Sequence, residues 1–343
     1  MKSIYLTAPI NNLSYGIVSK NILKELVKQR KVLLSPISQF TGYDEDVHNS
    51  IKNFEDEPHN NSISSVKIYH QFDLAHHIGK GKHIGFPFFE LDEFSNLEKK
   101  HLSIQDIVIV ASKWAKEIVD SQVKTDCKVV PLGVDTDVFH PEGKKTNSCV
   151  FLNIGKMEYR KGHDVLLKAC ERVFKDKKEC MLWMVSKNPF VDCNAWEKNF
   201  RERLGSKVAF IPPQNNISYT INAANYGIYP YRSEGWCLPL MESLACGLPV
   251  VATNYSAPTE YLTENNSYTI DIRDMEDAFD GVFFDGSKGK WAKLDEKYED
   301  DLVDIMEHMY SEWKAGYRSN VNGVETGKEY TWQKTVEGIL NCE

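Results

Sequence analysis

The sequence predicts an α/β protein with two doubly wound parallel sheets, and three observations support that prediction. The chain has 343 residues, which is long for one domain and comfortable for two. In both halves, short apolar runs alternate with segments whose apolar residues recur at helical spacing. Between the halves lies a polar stretch, 135–148, that carries a proline and a glycine and is typical of a linker. We therefore expect two Rossmann-like domains.

The N-terminal half opens as an α/β unit. An apolar strand at 3–8 leads into a loop, and Gly16 then precedes the first helical pattern. Glu90 ends the strand at 83–89. Strands are predicted at 3–8, 66–70, 83–89, 106–112 and 127–134, and a helix at 113–121.

The C-terminal half repeats the pattern. Strands are predicted at 149–155, 180–186, 208–213, 226–231 and 249–254. A helix spans 238–246, with Pro239 near its start and Gly247 just past its end. We predict domains at 1–140 and 141–325, with a C-terminal helix in 326–343 that packs back on the first domain. Ligands of such sheets bind beyond the carboxyl ends of the strands, and two facing domains would form a cleft.

Composition and charge narrow the functional classes. The net charge of −8 disfavours a nucleic-acid partner, although a phosphate needs only a few local cations. Eight cysteines without a CxxC pair indicate a reduced, cytoplasmic protein. The N-terminus indicates a strand rather than a signal peptide, and the sequence has no apolar run of about 18 residues. A soluble protein is predicted, with peripheral membrane contact left open.

Two segments carry residues suited to a phosphorylated ligand. In 231–260, Glu234 follows a strand and Glu242 lies on the first turn of the next helix, where a carboxylate suits sugar hydroxyls better than phosphate. In 153–164, Lys156, Arg160 and Lys161 crowd a strand-to-helix loop, which suits a diphosphate. Taken singly, each segment is also compatible with solvated surface charge.

Together these segments resemble the retaining glycosyltransferases of family four, a glycogen-synthase-like and mannosyltransferase-like group with the GT-B fold. SEGWCLPLMESLACGLPVVAT, starting at residue 233, resembles their glutamate–seven residues–glutamate motif, and IGKMEYRKGHDVLL, starting at 154, their element ending in Lys-Gly. The stretches 106–119, 130–141 and 254–262 resemble the end of their first domain, their inter-domain segment and their last donor-side loop.

The resemblance implies a role for each matching residue. Lys156, Arg160, Lys161 and Gly16, with the backbone of Cys237 and Leu238, would bind the donor diphosphate, and Glu242 the ribose. Glu234, Gly235, Trp236 and Cys237 would contact the transferred sugar. Glu234, Glu90 and Lys161 are the predicted catalytic residues. Lys156 replaces the usual arginine and loses its two-pronged contact. Cys237 stands where a small residue is common, and we interpret it as a fitting side chain rather than a nucleophile.

Other polar groups are given weaker interpretations. His70, His76, His77 and His83 lie close in sequence and are interpreted as surface or core histidines without zinc-ligand spacing. Asp135-Thr136-Asp137 has the spacing of a metal-binding Asp-x-Asp motif, but it falls in the linker. We therefore expect no metal and no cofactor.

The resemblance implies a hexosyl- or pentosyltransferase that uses a nucleotide sugar, UDP-sugar being favoured over GDP-sugar. The acceptor stays open among a glycan, a lipid-linked sugar, a protein and a modified DNA base. A nucleotide-sugar epimerase of GT-B architecture and a non-catalytic nucleotide-sugar-binding protein are the alternatives.

Overall fold

The computed structural model describes residues 2–37, 44–57, 61–214, 216–316 and 319–343. Two compact units divide the chain. The first comprises 1–133 and 330–343, and the second comprises 134–329. The division therefore falls after Gly133, and the last 14 residues belong to the first unit.

The first unit contains one parallel sheet of six strands in the order β2-β1-β3-β4-β5-β6. Its strands are β1 (Ser3–Pro9), β2 (Lys31–Ile37), β3 (Ser65–Ile68), β4 (His83–Phe86), β5 (Ile107–Val110) and β6 (Cys127–Val129). Its helices are α1 (Ser14–Leu26), α2 (Glu45–Glu55), α3 (Asn96–Ser103), α4 (Lys113–Gln122) and, after the second unit, α11 (Trp332–Leu340).

The second unit contains a six-stranded parallel sheet in the order β12-β11-β10-β7-β8-β9 and an antiparallel hairpin. Its strands are β7 (Cys149–Ile154), β8 (Cys180–Val185), β9 (Val208–Phe210), β10 (Tyr226–Tyr229), β11 (Val250–Asn254), β12 (Tyr268–Asp271) and the hairpin strands β13 (Met275–Phe279) and β14 (Asp285–Ala292). Its helices are α5 (His163–Phe174), α6 (Asn194–Leu204), α7 (Ser218–Ala223), α8 (Leu238–Ala245), α9 (Glu296–Ala315) and α10 (Val321–Glu329).

Burial explains why the second sheet forms. β7 is buried along almost its whole length, as expected for a central strand covered on both faces. One face packs against apolar residues of α5, α6 and α9, and the other against a smaller cluster that includes Ile221 and Leu248. α8 begins with Pro239 in its first turn and is followed by Gly247 at φ +70°, which confirms both predicted boundary residues.

The predicted fold class is confirmed, but several boundaries are wrong. β4 ends at Phe86, so Glu90 lies in the loop beyond the strand rather than at its end. Gly16 is the third residue of α1 and does not precede the helix. Strands β2 and β12 and the hairpin β13–β14 were not predicted from the sequence. β2 is an edge strand that carries Pro36, and the hairpin is polar and contains glycine.

The C-terminal segment ends in α11, which packs against α1 within the first unit. A Cβ at Gly133 would lie 2.1 Å from the backbone nitrogen of Trp332, so only glycine permits this close approach. Arg30 and Glu343 form an ion pair at 2.7 Å. Among the described residues, no helix has the length and apolar character needed to cross a bilayer.

Candidate functional site

The loop after β7 is shaped by one glycine. Gly162 has φ +71° and caps the short helical turn Tyr159–Lys161 before α5 begins. A Cβ at this position would lie 1.7 Å from the carbonyl oxygen of Pro230, just beyond β10. The glycine of the Lys-Gly pair is therefore required for steric reasons, because the backbones after β7 and β10 nearly touch there.

This contact brings three cations and two carboxylates together. Lys161 Nζ forms a short ion pair with Glu234, and Arg160 Nη1 lies 3.4 Å from the same carboxylate. Glu158 accepts from Arg160 at 3.0 Å and lies 2.9 Å from Lys156 Nζ. Residues from the two segments singled out in the sequence therefore form one cluster.

The electrostatics of the cluster follow from burial and opposite charge. Burial raises the pKa of Glu158, but the charges of Arg160, Lys161 and Lys156 outweigh it and hold the pKa at about 2. Burial lowers the pKa of Lys161, whereas Glu234 raises it, and the net shift is upward. Lys161 is therefore a cation at neutral pH, and the three cations exceed the two carboxylates by one charge.

Exposure separates the roles of the three cations. The side chain of Lys156 is 35% exposed and that of Lys161 15% exposed, whereas that of Arg160 is only 6% exposed. Arg160 also donates to the carbonyl oxygen of Ser233 at 2.7 Å. This geometry argues against the predicted diphosphate contact of Arg160, because its guanidinium is buried and already bonded. Arg160 instead positions Glu158 and the Glu234 loop.

Glu234 is fixed through its backbone. Its N–H donates to Ser256 Oγ at 2.9 Å, and its carbonyl oxygen accepts from the N–H of Ala257 at 3.2 Å. Ser256 has φ +60°, a conformation that side-chain-bearing residues rarely adopt. The loop after β11 therefore holds the loop after β10 in place. This contact explains why the segment 254–262 occurs together with the two glutamates in the sequence.

Arg232 ties this loop to the rest of the unit. Its guanidinium is 2% exposed, makes a two-pronged contact with Asp164 at 2.9 Å and donates to Glu276 at 2.9 Å. It also lies 3.6 Å from the ring centroid of Tyr159. The hairpin strand β13, the start of α5 and the loop after β10 therefore meet at one buried arginine.

Cys237 marks the start of α8 in a strained conformation. Its φ and ψ are 68° and 70°, and the carbonyl oxygens of Trp236 and Cys237 both accept from the hydroxyl of Tyr261. Burial and the charge of Glu234 raise the pKa of the Cys237 thiol to about 12. A thiolate is therefore scarce at neutral pH, which supports the interpretation of Cys237 as a fitting side chain. Leu238 begins the helix, and no side chain in the described part of the chain caps its N-terminus.

Glu242 differs from the other carboxylates of the unit. It is the fifth residue of α8, beyond the predicted first turn, and is only partly exposed. Burial raises its pKa to about 7. Among the described residues, no hydrogen bond or ion pair reaches its carboxylate. A desolvated acceptor without a partner is what a hydroxyl-bearing ligand would satisfy.

A small pocket lies at the carboxyl edge of the second sheet. It joins Lys161, Glu234 and Cys237, three of the predicted site residues. Its lining residues are Asn153, Ile154, Gly155, Lys161, Tyr229, Tyr231, Glu234 and Cys237. Gly235 and Trp236 connect two of them along the chain, and the Trp236 ring packs edge-on against Tyr261 with centroids 4.9 Å apart.

Two predicted site residues belong to the first unit. At Gly16 a Cβ would lie 2.3 Å from the carbonyl oxygen of Asn11, so the glycine accommodates the chain's own loop. Glu90 is partly exposed beyond β4. In the linker, the carboxylate of Asp135 accepts from the N–H of Asp137 at 3.1 Å and so closes a local turn.

The comparisons with known proteins agree with this geometry. Residues 148–282 match the family described as "Glycosyl transferases group 1". The matched range lies within the second unit. The cation loop, both glutamates and the loop after β11 all lie inside the matched range.

Curated relatives extend the similarity beyond that domain. An uncharacterized glycosyltransferase of Methanocaldococcus jannaschii is 24% identical over 237 residues, covering 68% of this chain and 58% of the relative. A GDP-mannose-dependent alpha-(1-6)-phosphatidylinositol dimannoside mannosyltransferase of Mycobacterium tuberculosis is 25% identical over 185 residues. The match covers 49% of this chain and 46% of that relative. The chain thus spans about half the length of these relatives.

A solved structure matches the fold over the whole chain. Anabaena HepE, crystallised with UDP and glucose, has a TM-score of 0.69 and 10% identity, covering 100% of this chain and 99% of that one. At this identity the likeness concerns the fold. It confirms the predicted GT-B architecture of two Rossmann-like domains, and the comparisons together support the predicted glycosyltransferase class.

Three residues of the site were missed in the sequence. Glu158 and Arg232 lie inside the quoted segments, but their roles depend on partners from other elements. Ser256 has no sequence signal beyond its place in 254–262. For Arg232, an arginine directly after a buried strand is a usable signal, since it must find carboxylate partners there.

Proposed function

We propose that this chain is a retaining, metal-independent glycosyltransferase that moves a sugar from a nucleoside diphosphate to an acceptor hydroxyl. The observation that carries the proposal is the pocket where Lys161 and Glu234 meet beside the uncapped N-terminus of α8. A helix N-terminus and a partly exposed lysine suit a diphosphate, and the adjacent carboxylate suits the hydroxyls of the transferred sugar.

The donor is assigned group by group. Lys156 and Lys161 hold the diphosphate with the backbone N–H groups of Cys237 and Leu238, and Glu242 accepts the ribose hydroxyls. Glu234 contacts the sugar, and Lys161 must exchange part of its pairing with Glu234 for phosphate. Gly16 and Glu90 of the first unit stay predictions. So does the preference for uridine, since one relative is named for GDP-mannose and one fold neighbour was crystallised with UDP.

In the proposed reaction, the bond between the sugar C1 and the diphosphate oxygen breaks while the acceptor oxygen bonds to C1. The acceptor proton passes to the leaving diphosphate. Lys156, Lys161 and the start of α8 stabilise the charge that develops on that leaving group. No protein nucleophile takes part, which agrees with the raised pKa of Cys237. The anomeric configuration of the sugar is retained because the acceptor attacks C1 from the face that the diphosphate leaves.

The test measures binding and turnover separately. Isothermal titration of the full chain with UDP, GDP and ADP should give micromolar dissociation constants for at least one nucleotide. Lys156→Gln should weaken that binding about 10-fold, because one charge-assisted contact is lost. Because the Lys156 side chain is 35% exposed, this substitution should leave folding intact. Lys293→Gln, at a side chain 47% exposed, is the control.

Turnover is followed as loss of donor sugar with and without candidate acceptors, in buffer with and without EDTA. Conversion of the donor to an isomer without acceptor would indicate an epimerase. Activity abolished by EDTA would contradict metal independence. If the wild-type chain binds none of the three nucleotides, the proposal is wrong.

A further inference from the structure

An aromatic cluster lies at the carboxyl edge of the first sheet, and its rings are not part of the buried core. We define it as Tyr15, Tyr69, His70, Phe72 and Phe88. Tyr15 and His70 have ring centroids 4.7 Å apart, and His70 and Phe72 are stacked at 5.0 Å with an interplanar angle of 8°. Tyr15 and Phe88 are 5.2 Å apart, and Tyr69 and His70 5.0 Å.

The topology explains why these rings meet. β1, β3 and β4 are adjacent parallel strands, so their carboxyl ends share one edge of the sheet. Tyr15 follows β1, Tyr69 and His70 follow β3 directly, and Phe88 follows β4. In sheets of this type ligands bind at that edge.

Within the cluster, Tyr15 and Phe88 are joined by hydrogen bonds, and Phe72 is exposed. The Tyr15 hydroxyl donates to the carbonyl oxygen of Phe88 at 2.8 Å and accepts from its N–H at 3.1 Å. Burial raises the pKa of Tyr15 well above its usual value, so the phenol stays neutral. The Phe72 ring is 46% exposed. Phe72 therefore presents an exposed aromatic face that is backed by the imidazole of His70.

Polar groups surround the rings and decide what they can bind. Glu90 is close enough to Tyr15 for its charge to raise the pKa of the phenol. Gln71 and Asp73 flank Phe72 along the chain, and Asp73 pairs with Lys67 at 3.3 Å. A lipid chain packed here would strip water from these charges without replacing the hydrogen bonds, which is unfavourable. A molecule with both an apolar face and hydroxyl groups would satisfy the rings and the polar groups together.

We propose that this cluster is a carbohydrate-binding site, with the pyranose ring of the acceptor stacked on the exposed face of Phe72, which His70 backs, and its hydroxyls bonded to Glu90. This inference rests on the proposed function for its role in catalysis, and it names a saccharide as the acceptor class. The site itself lies wholly within the first unit, so sugar binding can be measured without any donor.

The experiment is saturation-transfer NMR on the full chain with methyl α-glucopyranoside, methyl α-mannopyranoside and methyl N-acetylglucosaminide. At least one should receive saturation from the wild-type chain. Phe72→Ala should weaken that binding about 10-fold, because the stacked face is lost. Phe72→Trp should restore it. Phe283→Ala removes a ring of similar exposure, 48%, from the second unit and should change nothing.

The same variants are then assayed for sugar transfer to the pyranoside that binds. Phe72→Ala should raise the KM for that acceptor about 10-fold and leave kcat and the donor KM within twofold of wild type. Sugar transfer to polyprenyl phosphate in phosphatidylcholine vesicles is measured in parallel and tests whether the acceptor is a lipid.

The outcomes separate this inference from the proposed function. No pyranoside binding by the wild-type chain, unchanged binding by Phe72→Ala, or transfer to polyprenyl phosphate alone would overturn the carbohydrate site. Failure to bind any nucleoside diphosphate, with Phe72-dependent pyranoside binding intact, would overturn the glycosyltransferase proposal and leave the site standing.

Discussion

Glu242, the proposed ribose-binding residue, lowers the stability of the fold at alkaline pH. Its folded pKa of about 7 exceeds the unfolded value of 4.5, so the folded state binds more protons between those pH values. The stabilising contribution of Glu242 is therefore complete below pH 4.5 and is lost as the pH rises through 7. At pH 8 the ionised carboxylate is desolvated and lacks a protein partner among the described residues.

We predict that Glu242→Gln raises the free energy of unfolding at pH 8 by about 1–2 kcal/mol, a value reduced from the full shift because the side chain is partly exposed. The gain should be much smaller at pH 5, where the carboxyl of Glu242 is neutral in the folded protein. The same variant should weaken nucleoside diphosphate binding. Urea unfolding at both pH values and isothermal titration measure these effects. Glu325→Gln, at an exposed position, is the control. A destabilised Glu242→Gln at pH 8 would contradict this account of the site.

At the scale of elements, the site is made by loops after neighbouring strands that hold one another. The loop after β7 supplies the cations, the loop after β10 supplies Glu234, and the loop after β11 supplies Ser256. Gly162 lies where two of them touch, and Arg232 joins them to β13 and α5. The cations therefore depend on strands far from them in sequence.

Gly162→Ala should be severely destabilising. A Cβ there meets the Pro230 carbonyl oxygen at 1.7 Å, and φ is +71°, so both steric clash and backbone strain oppose it. We expect a loss of at least about 4 kcal/mol of unfolding free energy, or failure to fold.

Gly316→Ala is a matched control for this prediction. Gly316 ends α9 at φ +91°, and no described atom lies within 4 Å of the position that a Cβ would take, so only backbone strain of about 1 kcal/mol applies. Thermal unfolding of both variants tests the comparison. Equal losses would mean that the contact between the loops after β7 and β10 does not constrain the fold.

At the scale of the whole molecule, each unit contains a histidine that resists protonation. Burial lowers the pKa of His163 in the second unit to about 4, and burial together with the neighbouring His83 lowers that of His77 in the first unit to about 4. The unfolded chain therefore binds more protons between pH 6.5 and 4. Both histidines destabilise the fold as the pH falls through that interval.

In wild type the free energy of unfolding falls between pH 7 and pH 5, and His163→Gln should reduce that fall by about 2 kcal/mol. The variant lacks one group that binds a proton more readily in the unfolded chain than in the folded protein. The comparison is made variant against wild type, because Glu242 acts in the opposite direction over the same interval. Urea midpoints at the two pH values provide the measurement, and His308→Gln, at a side chain 59% exposed, is the control. An unchanged pH dependence in His163→Gln would show that His163 is not neutral in the folded protein.

The sequence by itself determined the fold class, the central strands and the residue types of the site. Apolar runs such as 106–112 and 149–155 indicate buried parallel strands, because little else can satisfy both faces of such a sheet. The spacing of Glu234 and Glu242, and the crowding of Lys156 and Lys161, likewise follow from chain order alone.

Only the tertiary structure decided which of these groups are available to a ligand. Arg160 and Lys161 are adjacent in sequence, yet one is buried against Glu158 and Ser233 and the other lines the pocket. The rings of the aromatic cluster are scattered along the sequence and meet only through the order of β1, β3 and β4. Burial and partner choice are long-range properties, and local sequence patterns do not encode them.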